Sequence, residues 1–318
     1  MTEFAVYRAA DVRRLLDFRG CVEAVRRAMA ALSRDPREQP LRSITPVREG
    51  RLFALMPGLA AGAPGFGAKL ISVFRDPAKG GRSAHRGIVV LFEEDTGAVI
   101  CVADAHEVTR IRTACNSAVA TAALARHDAE SLSLFGCGTQ AEAHLRALPL
   151  VRAIRRVQVW GRDAAIAADF AARMGEETGL AVTATADPRA AAEAADIICT
   201  LTGSADPILM RDWVRPGTHV NAVGSSHAGP VEIDPALVAA SRYFVEYRPS
   251  ALAAAAEFIR ARELGLVGDD HIRAELGEVL NGTAAGRVEE ADVTLYKSLG
   301  HIVQDLAAVQ YLHARATR

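Results

Sequence analysis

The chain has 318 residues, enough for about two domains, and its 50% hydrophobic and 24% charged residues are the proportions of an ordinary globular protein. A net charge of -1 excludes a role dominated by nucleic acid or by an anionic membrane surface, and no uncharged apolar run approaches the ~18 residues of a membrane span. Five scattered cysteines (Cys21, Cys101, Cys115, Cys137, Cys199) form no C-x-x-C pair, and Met1–Arg8 lacks the basic and apolar regions of a signal peptide, so free thiols, no metal and a cytoplasmic location are expected.

Apolar residues recur at helical spacing over 10–33, from Val12 and Leu15 to Met29 and Leu32, and predict a helix pair that Asp35-Pro36 ends. From about 41 to 104 the character changes to strands. Phe53–Met56, Phe66–Phe74, Gly87–Glu93 and Ala98–Ala103 are short runs, and Glu94-Asp95-Thr96-Gly97 separates two of them as a hairpin turn would. No long helix interrupts them, which predicts an antiparallel sheet. A long helix follows over 105–127. Beyond it strands (131–135, 156–160, 181–185, 196–201, 218–223, 242–246) alternate with helices (140–148, 163–178, 188–195, 234–240), the pattern of a doubly wound parallel sheet. Helices are predicted near 250–264 and 271–280, and a final strand-to-helix unit over 292–312. The fold class expected is α/β: a Rossmann doubly wound parallel sheet at 119–291, plus a discontinuous α+β substrate and dimerisation domain with an antiparallel sheet, built from 1–118 and completed by 292–318.

Residues 131–141, Ser-Leu-Ser-Leu-Phe-Gly-Cys-Gly-Thr-Gln-Ala, carry the clearest chemistry. A buried strand runs into a glycine turn that opens a helix. Gly136 and Gly138 would let the backbone approach a phosphate, and the amides around Thr139 and Gln140 would face a dinucleotide pyrophosphate at the positive end of the helix dipole. The next strand ends Trp160-Gly161-Arg162-Asp163, with glycine where an acid usually binds the ribose 2′-hydroxyl. A carboxylate would repel a 2′-phosphate and Arg162 would attract one, which favours NADP(H), with NAD(H) possible. Thr200 at a later strand end suits the cofactor crevice or a simple turn, and the small residues Val223 and Gly224 would let a nicotinamide lie close to the backbone. His227, in the turn that follows, is a proton-donor candidate or a loop histidine facing solvent.

In the N-terminal half Arg42, Lys69 and Arg112 are three cations that a fold could gather. A lysine inside the apolar strand Phe66–Phe74 needs a counter-charge if buried. A substrate carboxylate would supply one, and an arginine fork matches it at two points. An internal salt bridge or a solvent-facing lysine is the alternative.

Several stretches together resemble the ornithine cyclodeaminase and mu-crystallin family: Gln39-Pro-Leu-Arg42, Gly67-Ala-Lys69-Leu, His85–Phe92, Arg112–Ala118, Phe135–Gln140, Trp213–Gly224, Glu275–Gly282 and Lys297-Ser-Leu-Gly300. The resemblance runs from Gln39 to Leu312. It implies a Rossmann domain, a substrate domain whose antiparallel sheet builds a homodimer, and an imino- or amino-acid carboxylate held by Arg42, Lys69 and Arg112. It further implies pyrophosphate at Thr139 and Gln140, cofactor at Thr200, Val223 and Gly224, Ser298 near the nicotinamide, and His85 close to the substrate.

One departure bears on the chemistry. Cyclodeaminases of this family resemble G-x-D-x-P-G-K-x-E after the strand, with Asp as acid/base. Here the run is Gly224-Ser-Ser-His-Ala-Gly-Pro-Val-Glu232, so Ser226 takes the Asp position. A serine cannot serve as a carboxylate base near neutral pH. The reading is therefore an NAD(P)H-dependent reductase of a 2-imino acid, with Lys69, His227 and Ser226 as the catalytic candidates. Ornithine cyclodeaminase and a non-catalytic, NADPH-gated ligand-binding protein are the alternatives.

Overall fold

The computed structural model describes residues 4–35, 37–76, 82–229 and 231–317, and the side chains of residues 75–76 and 82–85 also lie outside the described set. In chain order the elements are β1 (Ala5–Tyr7), α1 (Ala9–Leu15), α2 (Phe18–Leu32), β2 (Ser43–Arg48), β3 (Arg51–Leu59), β4 (Phe66–Asp76), β5 (Arg82–Phe92), β6 (Val99–Asp104) and α3 (Ala105–Leu124). There follow β7 (Ser131–Phe135), α4 (Thr139–Ala147), β8 (Arg156–Trp160), α5 (Ala164–Thr178), β9 (Ala181–Thr185), α6 (Pro188–Glu193), β10 (Ile197–Thr200) and β11 (His219–Ala222). The chain closes with α7 (Pro235–Ala240), β12 (Arg242–Val245), α8 (Arg248–Ala254), α9 (Ala256–Glu263), β13 (Ile272–Glu275), α10 (Leu276–Leu280), β14 (Thr294–Lys297) and α11 (Ile302–Ala316). Two units result: Met1–Thr113 with His301–Arg318, and Ala114–Gly300.

The first unit is built on a six-stranded sheet in the order β1-β6-β5-β4-β3-β2. Strands β2 to β6 run antiparallel, and the short β1 adds itself parallel to β6. Helix α11 lies on this sheet and against α2, where the amphipathic pattern of Val22, Val25, Met29 and Leu32 buries its apolar stripe. Close approach is possible because small residues face the helix: a side chain at Gly67 would meet the Val90 carbonyl at 2.1 Å and Leu306 at 2.8 Å. Strand parity then puts Lys69, two residues on, on the same face.

The second unit is an eight-stranded, all-parallel sheet in the order β13-β12-β14-β11-β10-β7-β8-β9. Its central strands are buried on both faces, as Ile197–Thr200 and His219–Ala222 are throughout, which is why they read as short unbroken runs rather than alternating ones. The order reverses between β7 and β10, the switch point at which doubly wound sheets bind ligands. The α/β class, with a doubly wound parallel sheet and a second sheet, is as expected.

Three local readings are corrected. Residues 271–280 are not one helix: Ile272–Glu275 pair with β12 as an edge strand and only Leu276–Leu280 is helical. β1 and β2 are additional strands. Of the closing segment, β14 inserts between β11 and β12 in the parallel sheet, while α11 belongs with the first unit.

Candidate functional site

In the second unit the carboxyl ends of β7, β10, β11 and β14 meet through backbone hydrogen bonds. Leu201 N donates to Phe135 O at 2.8 Å, Val223 N and Gly224 N to Thr200 O at 3.1 Å, and Ser298 N to Ala222 O at 2.9 Å. This edge gathers the sequence candidates Gly136, Gly138, Thr200, Val223, Gly224 and Ser298. Gly136 has φ +122°, which L side chains rarely adopt, and a side chain there would press on Leu201 O at 2.9 Å. A Cβ at Gly138, by contrast, would meet open space. Gly138 is the N-cap of α4 and supplies no side-chain acceptor, so the first-turn amides at Thr139 and Gln140 stay available to a ligand. The glycine turn and the uncapped helix start, with first-turn amides able to donate, fit a dinucleotide pyrophosphate.

The ribose end of the cradle has its own constraint. A side chain at Gly161 would lie 2.7 Å from Cys137 Sγ, so an acid there would require the Cys137 side chain to move. Arg162 is exposed and has no hydrogen bond or ion pair among the described residues.

Buried carboxylates that the sequence reading did not single out hold the strand-end loops. Glu232 accepts from Thr202 N and Thr202 Oγ1 at 2.6 Å and from Gly224 N at 2.7 Å, tying the loops after β10 and β11 together. Burial pushes its carboxyl above the usual range, against the pull of those donors and of Lys297. Lys297, fully buried, donates to Ser225 O, to Ser225 Oγ at 2.8 Å and to Glu257, whose Oε1 lies 3.0 Å away. Removing one partner of such a pair costs about 3–5 kcal/mol because the other charge stays buried. Glu246 accepts from Ser298 Oγ at 3.1 Å, Leu299 N at 2.9 Å and Gly300 N at 2.7 Å, and Asn116 Nδ2 donates to it at 2.8 Å.

In the first unit Lys69 and Arg112 come together, both buried. The counter-charge that the sequence demanded is Asp305, in the first turn of α11: its Oδ1 takes Lys69 Nζ and Arg112 Nε, each at 3.0 Å. Lys69 also donates to Thr109 Oγ1 at 2.5 Å, and Arg112 Nη1 to Gln304 Oε1 at 2.7 Å. Burial pushes the Lys69 ammonium down to about 8 against the opposing pull of Asp305, with Arg112 and Arg42 lowering it further. Burial would raise Asp305, but Arg112 and Lys69 hold it below the usual carboxylate value. His301, the N-cap of α11, is pushed down to about 4 by burial and then by Arg42, and stays neutral near pH 7.

The remaining candidates fall as follows. Arg42, half-buried just before β2, acts electrostatically on Lys69 and His301. Ser226 is half-buried and His227 exposed. His85, on β5, pairs with Val73 of β4, but its side chain lies outside the described residues. Cys199 is buried and raised to about 12 by that burial, so it is inert as a nucleophile near neutral pH. Asp305, Gln304, Thr109, Glu232, Glu246, Glu257 and Lys297 are the site-forming residues that sequence reasoning missed. For Asp305 a signal existed in the unmet charge of Lys69, but nothing local named its partner.

Comparison with known proteins supplies the context. A protein of Sinorhizobium fredii named an uncharacterized cyclodeaminase is 35% identical over 305 residues, covering 95% of this chain and 91% of that one. Delta(1)-pyrroline-2-carboxylate reductase of Bacillus cereus is 32% identical over 319 residues, covering 98% and 96%. The solved structure of Thermococcus litoralis Delta(1)-pyrroline-2-carboxylate reductase, in complex with NADH and L-proline, superposes with a TM-score of 0.94 at 28% identity, covering 99% of this chain and 98% of that one. The model of the ornithine cyclodeaminase/mu-crystallin family matches residues 2–318. With a full-length match and relatives above 30% identity, the chain belongs to the ornithine cyclodeaminase/mu-crystallin family.

Proposed function

We propose that the protein is an NAD(P)H-dependent reductase of a 2-imino acid, of the cyclic ketimine or pyrroline and piperideine carboxylate type, with NADP(H) preferred over NAD(H). The observation that carries this reading is the charge surplus around Asp305. Two buried cations, Lys69 and Arg112, share one oxygen of a single carboxylate, which leaves that cluster with a net positive charge. A ligand carboxylate on Arg42 and Arg112 offsets that surplus, and an arginine fork binds it at two points. A nicotinamide held by the Gly136–Gln140 cradle, Thr200, Val223, Gly224 and Ser298 supplies, when bound, the hydride that an imine carbon accepts. The chain's own task is then to fix the carboxylate and provide a proton at the imine nitrogen. Lys69 meets that demand better than the buried histidines, since His301 carries no proton to give near pH 7.

Cyclodeamination is less well supported, because Ser226 offers no carboxylate at the position where the family's cyclodeaminases have one. The Bacillus cereus and Thermococcus litoralis relatives, named as pyrroline-2-carboxylate reductases, point the same way. NADP(H) is favoured by Arg162 and by glycine standing at position 161, where an acid usually binds the ribose.

The partner in assembly is a second copy of the chain. One face of the six-stranded sheet carries Val6, Phe53 and Ile88, exposed by 58%, 39% and 42%, and apolar surface of this kind on a sheet face fits a homodimer. Among the described residues no helix is long and apolar enough to cross a membrane. Among the described residues the five cysteines form no disulfide, which favours a reducing, cytoplasmic compartment.

The test is steady-state oxidation of NADPH and NADH with Δ1-pyrroline-2-carboxylate and Δ1-piperideine-2-carboxylate. Turnover, faster at low concentration with NADPH, is expected. Proline and ammonia from ornithine without added reductant would establish the cyclodeaminase instead, and ligand binding without nicotinamide oxidation would establish a binding protein.

A further inference from the structure

The Lys69 ammonium has three protons to place. Among the described residues one goes to Asp305 Oδ1 at 3.0 Å and one to Thr109 Oγ1 at 2.5 Å, and the third has no acceptor. The Thr109 hydroxyl proton is itself committed to Ala105 O at 2.5 Å, so toward Lys69 the hydroxyl acts as an acceptor. Among the described residues Asp305 Oδ2 is buried with no hydrogen-bond partner, while Oδ1 carries both cations. The ammonium is therefore held at two points with one N–H left over.

We propose that Asp305 is a positioning residue for the reaction: it keeps Lys69 charged and fixes its orientation, so that the third Nζ proton is the one delivered to the imine nitrogen. This rests on the reading of the protein as a 2-imino acid reductase. In the step, an Nζ–H bond of Lys69 breaks and an N–H bond forms on the imine nitrogen. The imine carbon is reduced by the hydride from the reduced nicotinamide, which is oxidised. Lys69 is left as a neutral amine beside the Asp305 carboxylate and regains a proton from water after the amino acid leaves.

The groups acting on Lys69 are Asp305 on α11, Arg112 and Thr109 on α3, and Arg42 before β2, while neutral His301 at the start of α11 feels the same Arg42, Asp305 and Arg112. Of these only Asp305 is an anion. It alone opposes the burial that brings Lys69 down to about 8. Removing its charge lowers that value further and leaves less ammonium at neutral pH.

The chain has three lysines, Lys69, Lys79 and Lys297, so lysine labelled with ¹³C and ¹⁵N gives few enough side-chain signals to follow by NMR, with Lys79→Arg assisting assignment. In the protein free of cofactor and substrate, the Lys69 signal is expected to titrate near 8. In Asp305→Asn its midpoint falls by about one unit or more, and the alkaline limb of kcat/KM for Δ1-pyrroline-2-carboxylate moves with it. Asp305→Glu keeps the charge but displaces the ammonium: the midpoint stays near the wild-type value while kcat falls about tenfold with little change in KM. This second variant keeps the test open if Asp305→Asn does not fold. An unmoved Lys69 midpoint in Asp305→Asn, an alkaline limb that does not follow the midpoint, or wild-type kcat in Asp305→Glu would each overturn the proposal. If the midpoints behave as expected but no 2-imino acid is reduced at any pH, it is the reductase reading that fails.

Discussion

Lys69 shows how much one residue in a sequence can say. A lysine between Ala68 and Leu70 in an apolar strand states that a charge is buried or that the strand faces water there. Strand parity with Gly67 places it on the helix-facing side, and burial then requires an anion. The anion is 236 positions away in sequence, which no local pattern could reveal. Arg112 is held by a fork: Nε on Asp305 and Nη1 on Gln304. Arg112→Lys keeps the charge and loses this planar two-point geometry. The expected outcome is a rise of about tenfold in KM for the imino acid with a smaller change in kcat, read from steady-state kinetics at saturating NADPH. An unchanged KM would remove Arg112 from substrate binding.

At the scale of elements, the strand, glycine turn and helix at 131–147 were legible because every determinant is local: the apolar run, a residue that must accept φ +122° and a good helix former after it. The loop after β11 is different. Gly224 reads as merely small, yet a Cβ there would lie 2.1 Å from Thr202 O and 2.4 Å from the Glu232 carboxylate oxygens. Gly224→Ala is therefore expected to lower stability by about 1–3 kcal/mol and to weaken cofactor binding, measured by denaturant unfolding and by nicotinamide fluorescence titration. Wild-type values in both would show that the loop yields freely. On the proposed reading the turn after β8 sets cofactor choice: Arg162→Ala should weaken NADPH binding about tenfold and leave NADH binding unchanged, and equal losses for both cofactors would contradict a 2′-phosphate role. The misread stretch at 271–280 has a local cause. Its apolar spacing over Ile272, Leu276 and Val279 suits a helix, and only pairing with β12 makes its first four residues a strand.

For the molecule as a whole, two expectations follow from burial. His144, His219 and His301 are pushed down to about 4, 3 and 4, in each case chiefly by burial. As pH falls below about 6.5 the unfolded chain takes up a proton at each of them, while the folded protein does not until about 4 or lower. Unfolding then binds protons, so stability declines from about pH 6.5 to 4. Calorimetry should show Tm falling across that window, with a shallower fall in His144→Gln, and a Tm insensitive to pH there would refute the assignment. The second expectation concerns assembly. Phe53→Glu combined with Ile88→Glu puts charge on the exposed apolar sheet face, and if the proposed homodimer forms there, sedimentation should show a dimer for the wild type and a monomer for the double variant. A double variant that stays dimeric would place the interface elsewhere.

The sequence by itself determined what depends on nearest neighbours along the chain: strand and helix alternation, the dinucleotide turn, the missing carboxylate at Ser226 and the family. Tertiary structure decided what depends on distant partners. It inserted β14 between β11 and β12, gave Lys69 and Arg112 their shared carboxylate on α11, and clamped the strand-end loops with Glu232, Glu246 and the Lys297–Glu257 pair. The physical reason is that a buried charge states only that a partner must exist. Which residue answers it is set by how strands and helices far apart in sequence pack.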